Sequence, residues 1–275
     1  MQVFLYFCGG FRKNMNKISK SQVKLIKSLQ LKKFRDELGL FVAEGEKCVS
    51  ELQKAFELEY RIQSTEYRPA APDRVQTETL LASPKEISQM SGLKTPQGVI
   101  GVFKKKPLSN LPLKGQENSL ILALDGVQDP GNLGTIIRTC DWFGVHDIVC
   151  SPDTADCYNP KVVQATMGAL ARVRVHYVDL AEWLEGIRSQ ESGVKIYGTL
   201  LDGEDMYKVL SNDQTLKPSN NAVIIMGNEG NGISQEVRKL ITHPIRIPSY
   251  PKDAETSESL NVSIATAIVL AEFRR

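Results

Sequence analysis

From residue 120 onward, short apolar runs alternate with stretches of helical character, and this alternation limits the possible folds more than any other feature of the chain. LILAL (120–124), DIVC (147–150), VRVHYV (173–178), KIYGT (195–199), AVIIM (222–226) and PIRI (244–247) read as strands. Helices are expected over Leu133–Phe143, Asn159–Leu170 and Leu180–Ser189, between the last two strands, and over Leu260–Phe273. Gly144 follows the first of these as a normal helix-ending residue. Apolar strands separated by helices predict an α/β fold with a mostly parallel sheet covered on both faces. Ligands on such sheets bind at the carboxyl ends of the strands.

The chain has 275 residues, enough for two ordinary domains. KKKPLSNLPLKGQ (104–116) lacks periodicity and reads as a linker, placed at 105–117. The second domain is then 118–275 and the first a small α/β domain at 15–104. Within the first, Ser19–Leu38 reads as helix, and LFVAEGEKCVSEL (40–52) as strand, Glu-Gly turn and helix. Ser83–Ser91 is a short helix with Ser83 as N-cap, Pro84 at the first position and Glu86 completing a capping box. VIGVF (99–103) is a strand. Residues 1–14 read as a disordered extension or a mis-assigned start. VFLYFCGG has no positive region before it and no A-x-A-like site, and Met15 opens a cleaner sequence.

Composition narrows the function classes. Hydrophobic residues make up 41% and charged residues 24%, and no run approaches the roughly 18 apolar residues of a membrane span. The net charge of +2 names no partner, but nine Lys or Arg and no acid lie between Met1 and Arg35. That basic stretch is either a phosphate footprint or a solvated helix face. The five cysteines form no CxxC pair and there are only three histidines, so no metal site is expected. Free thiols in a reducing, cytoplasmic compartment follow.

Three stretches carry chemistry. In AVIIMGNEGNGIS (222–234) an apolar strand runs into Gly227, Gly230 and Gly232. The order is neither GxGxxG nor a Walker A loop. Glycines here permit positive φ and close backbone approach. Glu229 would repel a phosphate, whereas a ribose, a purine or a cationic ligand is tolerated. S-adenosylmethionine combines all three. In DGVQDPGNLGTIIR (125–138), Asn132, Gly134 and Arg138 stand where a loop becomes a helix. Arg138 alone reads as a surface arginine. Its neighbours Ile136, Ile137 and Cys140 place it on a largely buried helix, where an arginine needs an acidic partner or a phosphate. In SLNVS (259–263), polar side chains open a helix that is apolar on nearly every side. Ser259 alone reads as its cap, and such a helix must be buried, either within the fold or against another subunit.

Together these stretches resemble the SpoU, or TrmH-type, family of RNA ribose 2′-O-methyltransferases. The matching residues are Asn132, Gly134 and Arg138, then Ile225, Met226, Gly227, Asn228, Glu229, Gly230 and Gly232, then Ser259, Leu260, Asn261, Val262 and Ser263. The resemblance covers about 118–275, and more weakly the front domain, which looks like the family's ribosomal-protein-like substrate-binding domain. It implies a deep trefoil knot near the C-terminal end, a homodimer, S-adenosylmethionine as cofactor and structured RNA as substrate, ribosomal RNA ahead of transfer RNA. It implies catalytic roles for Arg138, Asn132, Glu229, Ser259 and Asn261. The cofactor would meet Thr199, Leu200, Met226, Gly227, Asn228, Gly230, Gly232, Ile247, Pro248, Leu260 and Asn261, with Glu229 facing Asn132 or Arg138. Tyr158, Asn159 and Lys161 are either RNA contacts or ordinary loop residues. One segment departs from the family pattern: a longer polar insertion, SYPKDAETSE (249–258), follows Ile247-Pro248. A non-catalytic RNA-binding protein of the same fold is the alternative, and the intact motif residues count against it.

Overall fold

The computed structural model describes residues 16–68, 79–106, 120–190, 194–212, 222–251 and 257–275. The expected extension at 1–14 and residues 107–117 of the expected linker lie outside them.

The front sheet and its helices are β1 (Asn16–Lys17), α1 (Lys20–Ser28), α2 (Lys32–Leu38), β2 (Leu40–Glu44), α3 (Glu46–Leu52), β3 (Leu58–Ser64), β4 (Thr79–Ala82), α4 (Pro84–Met90) and β5 (Val99–Lys104). The strand order is β1-β4-β3-β5-β2, with β5 antiparallel to both neighbours. The Ser83–Glu86 capping box forms as expected. The single helix expected over Ser19–Leu38 is instead two. Arg35, 1% exposed on α2, donates from Nη1 to the carbonyls of Leu29 (2.9 Å) and Gln30 (3.0 Å). Those are groups that a break after α1 would otherwise leave bare. Strand β3 was not legible because a buried arginine, Arg61, interrupts its apolar pattern. Arg61 pairs with Glu46 at 2.6 Å.

The second sheet is built from β6 (Leu120–Asp125), α5 (Pro130–Trp142), β7 (Asp147–Cys150), α6 (Pro160–Thr166), β8 (Arg174–Tyr177), α7 (Leu180–Gln190), β9 (Lys195–Asp205), α8 (Met206–Asn212), β10 (Ala222–Gly227), α9 (Gln235–Arg238), β11 (His243–Arg246) and α10 (Val262–Phe273). Its order is β11-β9-β10-β6-β7-β8 and every pairing is parallel, as the alternation predicted. Helix α8 (Met206–Asn212) was not expected, and three further elements differ from expectation. The helix predicted to Leu170 stops at Thr166, where Met167 and Gly168 take positive φ (52° and 93°) and a 3-10 turn follows. Strand β9 does not end at Thr199. Its pairing with β11 jumps from Gly198 to Glu204 between Pro244 and Ile245, so Thr199–Gly203 form an excursion before the strand resumes. Finally, α10 starts at Val262 rather than Leu260, because Asn261 is its cap.

The two sheets share one apolar core. Phe41, Phe56 and Phe103 of the front part pack with Leu133, Val162 and Val163 of the second. Tyr158 sits among them, its ring 4.7 Å from that of Phe41 and 6.2 Å from that of Phe56. Burial pushes its hydroxyl pKa up. The sequence allowed Tyr158 an RNA contact; its side chain is instead part of this packing. Beside it, the Arg35 guanidinium reaches Asp156 at 2.7 Å and 3.1 Å. Asp156→Ala should strand that buried charge and cost about 3–5 kcal/mol. Urea denaturation would measure it, and a loss below about 1 kcal/mol, the range of an exposed pair, would show that the contact does not hold the sheets together.

Candidate active site

Parallel pairing brings Asp125 at the end of β6 opposite Gly227 at the end of β10, with the excursion of β9 next to them. At this carboxyl edge three distant segments meet. Asp129 caps α5 by accepting from the Asn132 backbone N–H at 2.8 Å, and Pro130 occupies the first helical position. The Asn132 side chain, so placed, donates from Nδ2 to Glu229 and accepts on Oδ1 from Asn261 Nδ2 at 3.0 Å. Asn261 in turn caps α10, its Oδ1 accepting from Ser263 N (3.1 Å) and Ser263 Oγ (2.6 Å).

The glycine loop is held by Asn228. Its backbone exchanges hydrogen bonds with Gly232 at 3.0 and 2.9 Å. Its Oδ1 accepts from the N–H groups of Gly230 (2.8 Å) and Asn231 (3.0 Å), and its Nδ2 donates to the Gly126 carbonyl at 2.7 Å. Asp125 adds a second tie by accepting from Ser234 N at 2.7 Å. The anchoring roles of Asp125 and of the Asn228 side chain were missed. An aspartate closing a buried strand beside a glycine was the available signal.

Several expected site residues are placed differently from their prediction. Arg138 is exposed rather than buried, and among the described residues its side chain has no hydrogen-bond or ion-pair partner. Glu229 therefore faces Asn132 and not Arg138. Ser259 is exposed, makes no hydrogen bond among the described residues, and is not the helix cap. Of the three loop glycines only Gly232 has positive φ (66°). Gly227 is required for a different reason: a Cβ there would lie 2.4 Å from the Gly232 carbonyl carbon and 2.5 Å from Ile233 N. At Gly230 the nearest atom would be a comfortable 3.4 Å away. Thr199 donates to the Ile225 carbonyl at 3.1 Å, beside Met226, while Leu200, Ile247 and Pro248 are half-buried around the same edge. Asn159 caps α6 by accepting from Lys161 N at 2.9 Å, and Lys161 is exposed.

The model of the SpoU rRNA methylase family matches residues 119–271. The chain belongs to this family. An MRM3-like substrate-binding domain matches residues 20–101. The chain is 30% identical over 264 residues to the 23S rRNA (guanosine(2553)-2′-O)-methyltransferase RlmP of Bacillus subtilis, covering 95% of this chain and 99% of that one. A TrmH-family structure from Porphyromonas gingivalis superposes with a TM-score of 0.80 at 35% identity, covering 94% of this chain and 98% of that one. An AdoMet-bound rRNA methyltransferase from Sinorhizobium meliloti does so with 0.78 at 31%, covering 94% and 96%.

Members of the SpoU family are RNA methyltransferases that draw the methyl group from S-adenosylmethionine, and this chain is one of them. The carboxyl edge fits that cofactor. Leu201 on the excursion is 70% exposed and Leu260 is exposed near α10, apolar surface next to an acidic loop. No group of His, Cys, Asp and Glu suited to a metal ion occurs among the described residues.

If the tight approach of Gly227 to Gly232 shapes the cofactor wall, Gly227→Ala should abolish S-adenosylmethionine binding in calorimetry while Gly230→Ala binds nearly as well as the parent. Equal affinity of all three proteins would remove this loop from the cofactor site.

Proposed function

We propose that the chain methylates a ribose 2′-hydroxyl of ribosomal RNA, in the cytoplasm, as a homodimer. The observation carrying this is the Asn132 junction, which joins the three motif segments on the helix that also carries Arg138, an arginine with no partner among the described residues. S-adenosylmethionine, when bound, supplies an electrophilic methyl on a cationic sulfur. The protein's share is alignment and electrostatics. Asn132 and Asn261 fix the start of α5, and α5 presents Arg138 outward, toward RNA. An arginine stays protonated, so Arg138 acts by gripping the phosphate of the target nucleotide and stabilising charge that develops on its 2′-oxygen. Held alignment of this kind can supply roughly 7–11 kcal/mol of barrier lowering. Ser259, exposed at the entrance to α10, is placed to touch RNA or the cofactor.

Ribosomal RNA is favoured over transfer RNA by the named relative and by the front part of the chain. There Lys20, Lys24 and Lys27 form an exposed stripe on α1, followed by exposed Lys32 and Lys33. None has an ion-pair partner among the described residues. Arg35 is not part of this footprint, since it is buried against Asp156. Residues 15–104 would serve as the RNA-binding domain, joined by the linker 105–117 to the methyltransferase domain 118–275. The trefoil knot belongs to the same proposal. It is consistent with β10 lying between β9 and β6, and with the approach of the α10 cap to α5.

The dimer is supported by apolar surface on α5 and α10. Trp142 is 84% exposed and Ile264 is 53% exposed. No helix among the described residues is long and apolar enough to cross a membrane. The described cysteines, Cys48, Cys140, Cys150 and Cys157, are free and buried, and burial pushes Cys48 up to about 11 and Cys157 up to about 12. Such unreactive free thiols agree with a reducing compartment.

Arg138→Ala should leave the melting temperature and S-adenosylmethionine affinity near those of the parent. Methyl transfer to ribosomal RNA from a strain lacking the gene should fall by about 10²-fold or more. Arg138→Lys should recover little, because an ammonium cannot reproduce the guanidinium fork. Undiminished transfer by Arg138→Ala would end the catalytic assignment.

A charge placed on the apolar surface tests the dimer. Ile264→Asp should convert a dimer into a folded monomer by light scattering, with loss of transfer. A parent protein that is monomeric and active at micromolar concentration would contradict the dimer.

A further inference from the structure

A cleft of about 210 Å³ opens between the two parts of the chain, beside Pro130, two residues before Asn132. It is smaller than the roughly 300–1,000 Å³ of sites that take whole cofactors, and it suits a single planar ring system. Leu93, Pro130 and Pro160 give it apolar walls. Gln30, Asn159 and Lys161 supply polar groups. The Gln30 amide is oriented by donating from Nε2 to the Met90 carbonyl at 3.1 Å, and among the described residues its Oε1 accepts nothing. Gly92 makes room for it: a Cβ there would stand 2.8 Å from Gln30 Oε1. The loop carrying Gly92 is pinned by buried Glu44, which accepts from Gly92 N at 2.8 Å and from Ser91 Oγ at 2.5 Å. Each oxygen of that carboxylate keeps a second lone pair. Opposite these acceptors, the Lys161 ammonium has no partner among the described residues. Asn159 spends its Oδ1 on capping α6, which leaves its Nδ2 to donate.

We infer that this cleft receives one unstacked guanine of the substrate RNA, at or next to the methylated nucleotide. This rests on the RNA methyltransferase reading above and adds base recognition to it. Guanine presents N1–H and N2–H₂ donors together with O6 and N7 acceptors. Gln30 Oε1 and Glu44 accept from its donor edge, and Lys161 and Asn159 donate to its acceptors. Adenine and cytosine each set a different donor and acceptor order against those groups, and uracil lacks the second donor. The proline and leucine walls hold the ring faces, as expected where RNA is read through splayed-out bases.

The probes are the four nucleoside 5′-monophosphates, titrated into the full-length protein and followed by saturation-transfer NMR with S-adenosylmethionine present in excess. Guanosine monophosphate should bind about tenfold more tightly than the other three. Gln30→Leu and, independently, Lys161→Met should reduce it to their level, with melting temperature and S-adenosylmethionine binding retained. Lys161 is exposed, so that variant keeps the test alive if Gln30→Leu fails to fold. Equal binding of the four nucleotides, no binding of any, or displacement of guanosine monophosphate by S-adenosylmethionine would each overturn the assignment. Failure of the parent protein to bind S-adenosylmethionine would instead overturn the methyltransferase reading.

Discussion

The amide of Asn132 is the constraint from which the candidate site is built. It has one oxygen and one NH₂ group, and it spends them on segments 129 and 97 residues away in sequence. An amide inverted about its bond would present the wrong partner to both. The orientation is set by what surrounds it: Asp129 fixes the backbone of the first helical turn, and Asn261 is fixed by its own capping bonds to α10. Arg138 is then determined by helix geometry, since six residues along α5 carry it about 9 Å from Asn132. Because Arg138 points to solvent, its charge is solvated by water. That is the arrangement expected of a group that binds substrate and not of one that supports the fold.

A second constraint fixes where that site stands relative to the basic face. The front sheet and the second share aromatic and aliphatic core, with Tyr158 among phenylalanines and Arg35 against Asp156. Arg35 also closes the break between α1 and α2. One side chain thus shapes the helix pair carrying the lysine stripe and seats that pair against the part that carries Arg138. The cleft beside Pro130 is a consequence of this seating, because its walls come from both sides of the junction.

The parallel sheet and its helices were legible because the apolar pattern of buried strands is continuous and survives without long-range information. The meeting of the three motif segments was legible through the family resemblance that Asn132, Glu229 and Asn261 help to carry, and their side chains do join. What was hidden depended on charges that leave the surface. Arg61 inside β3 and Arg35 inside a helix turn look, in sequence, like surface residues, so the strand was missed and the helix break was missed with it. Arg138 was misread in the opposite direction, because apolar neighbours on a helix fix the face that is buried without fixing the residue that faces away from it. The excursion in β9 was hidden for a third reason: it ends where Gly203 lies so close to the Ile245 backbone that a Cβ would stand 2.5 Å from its carbonyl carbon, a long-range contact that no local pattern announces.

The carboxylate in a glycine-rich loop follows from how that loop satisfies itself. A phosphate-binding loop leaves successive backbone N–H groups open so that an anion can accept from them. Here Asn228 Oδ1 has already taken the N–H groups of Gly230 and Asn231, and Gly232 returns a third to the Asn228 carbonyl. The positive pole an anion needs has been consumed within the turn, so nothing opposes placing Glu229 at its tip, where Asn132 holds it. The glycine pattern and the acid therefore have one explanation. The loop is closed to anions by its own hydrogen bonds, and the carboxylate makes the same edge attractive to a ligand that carries positive charge.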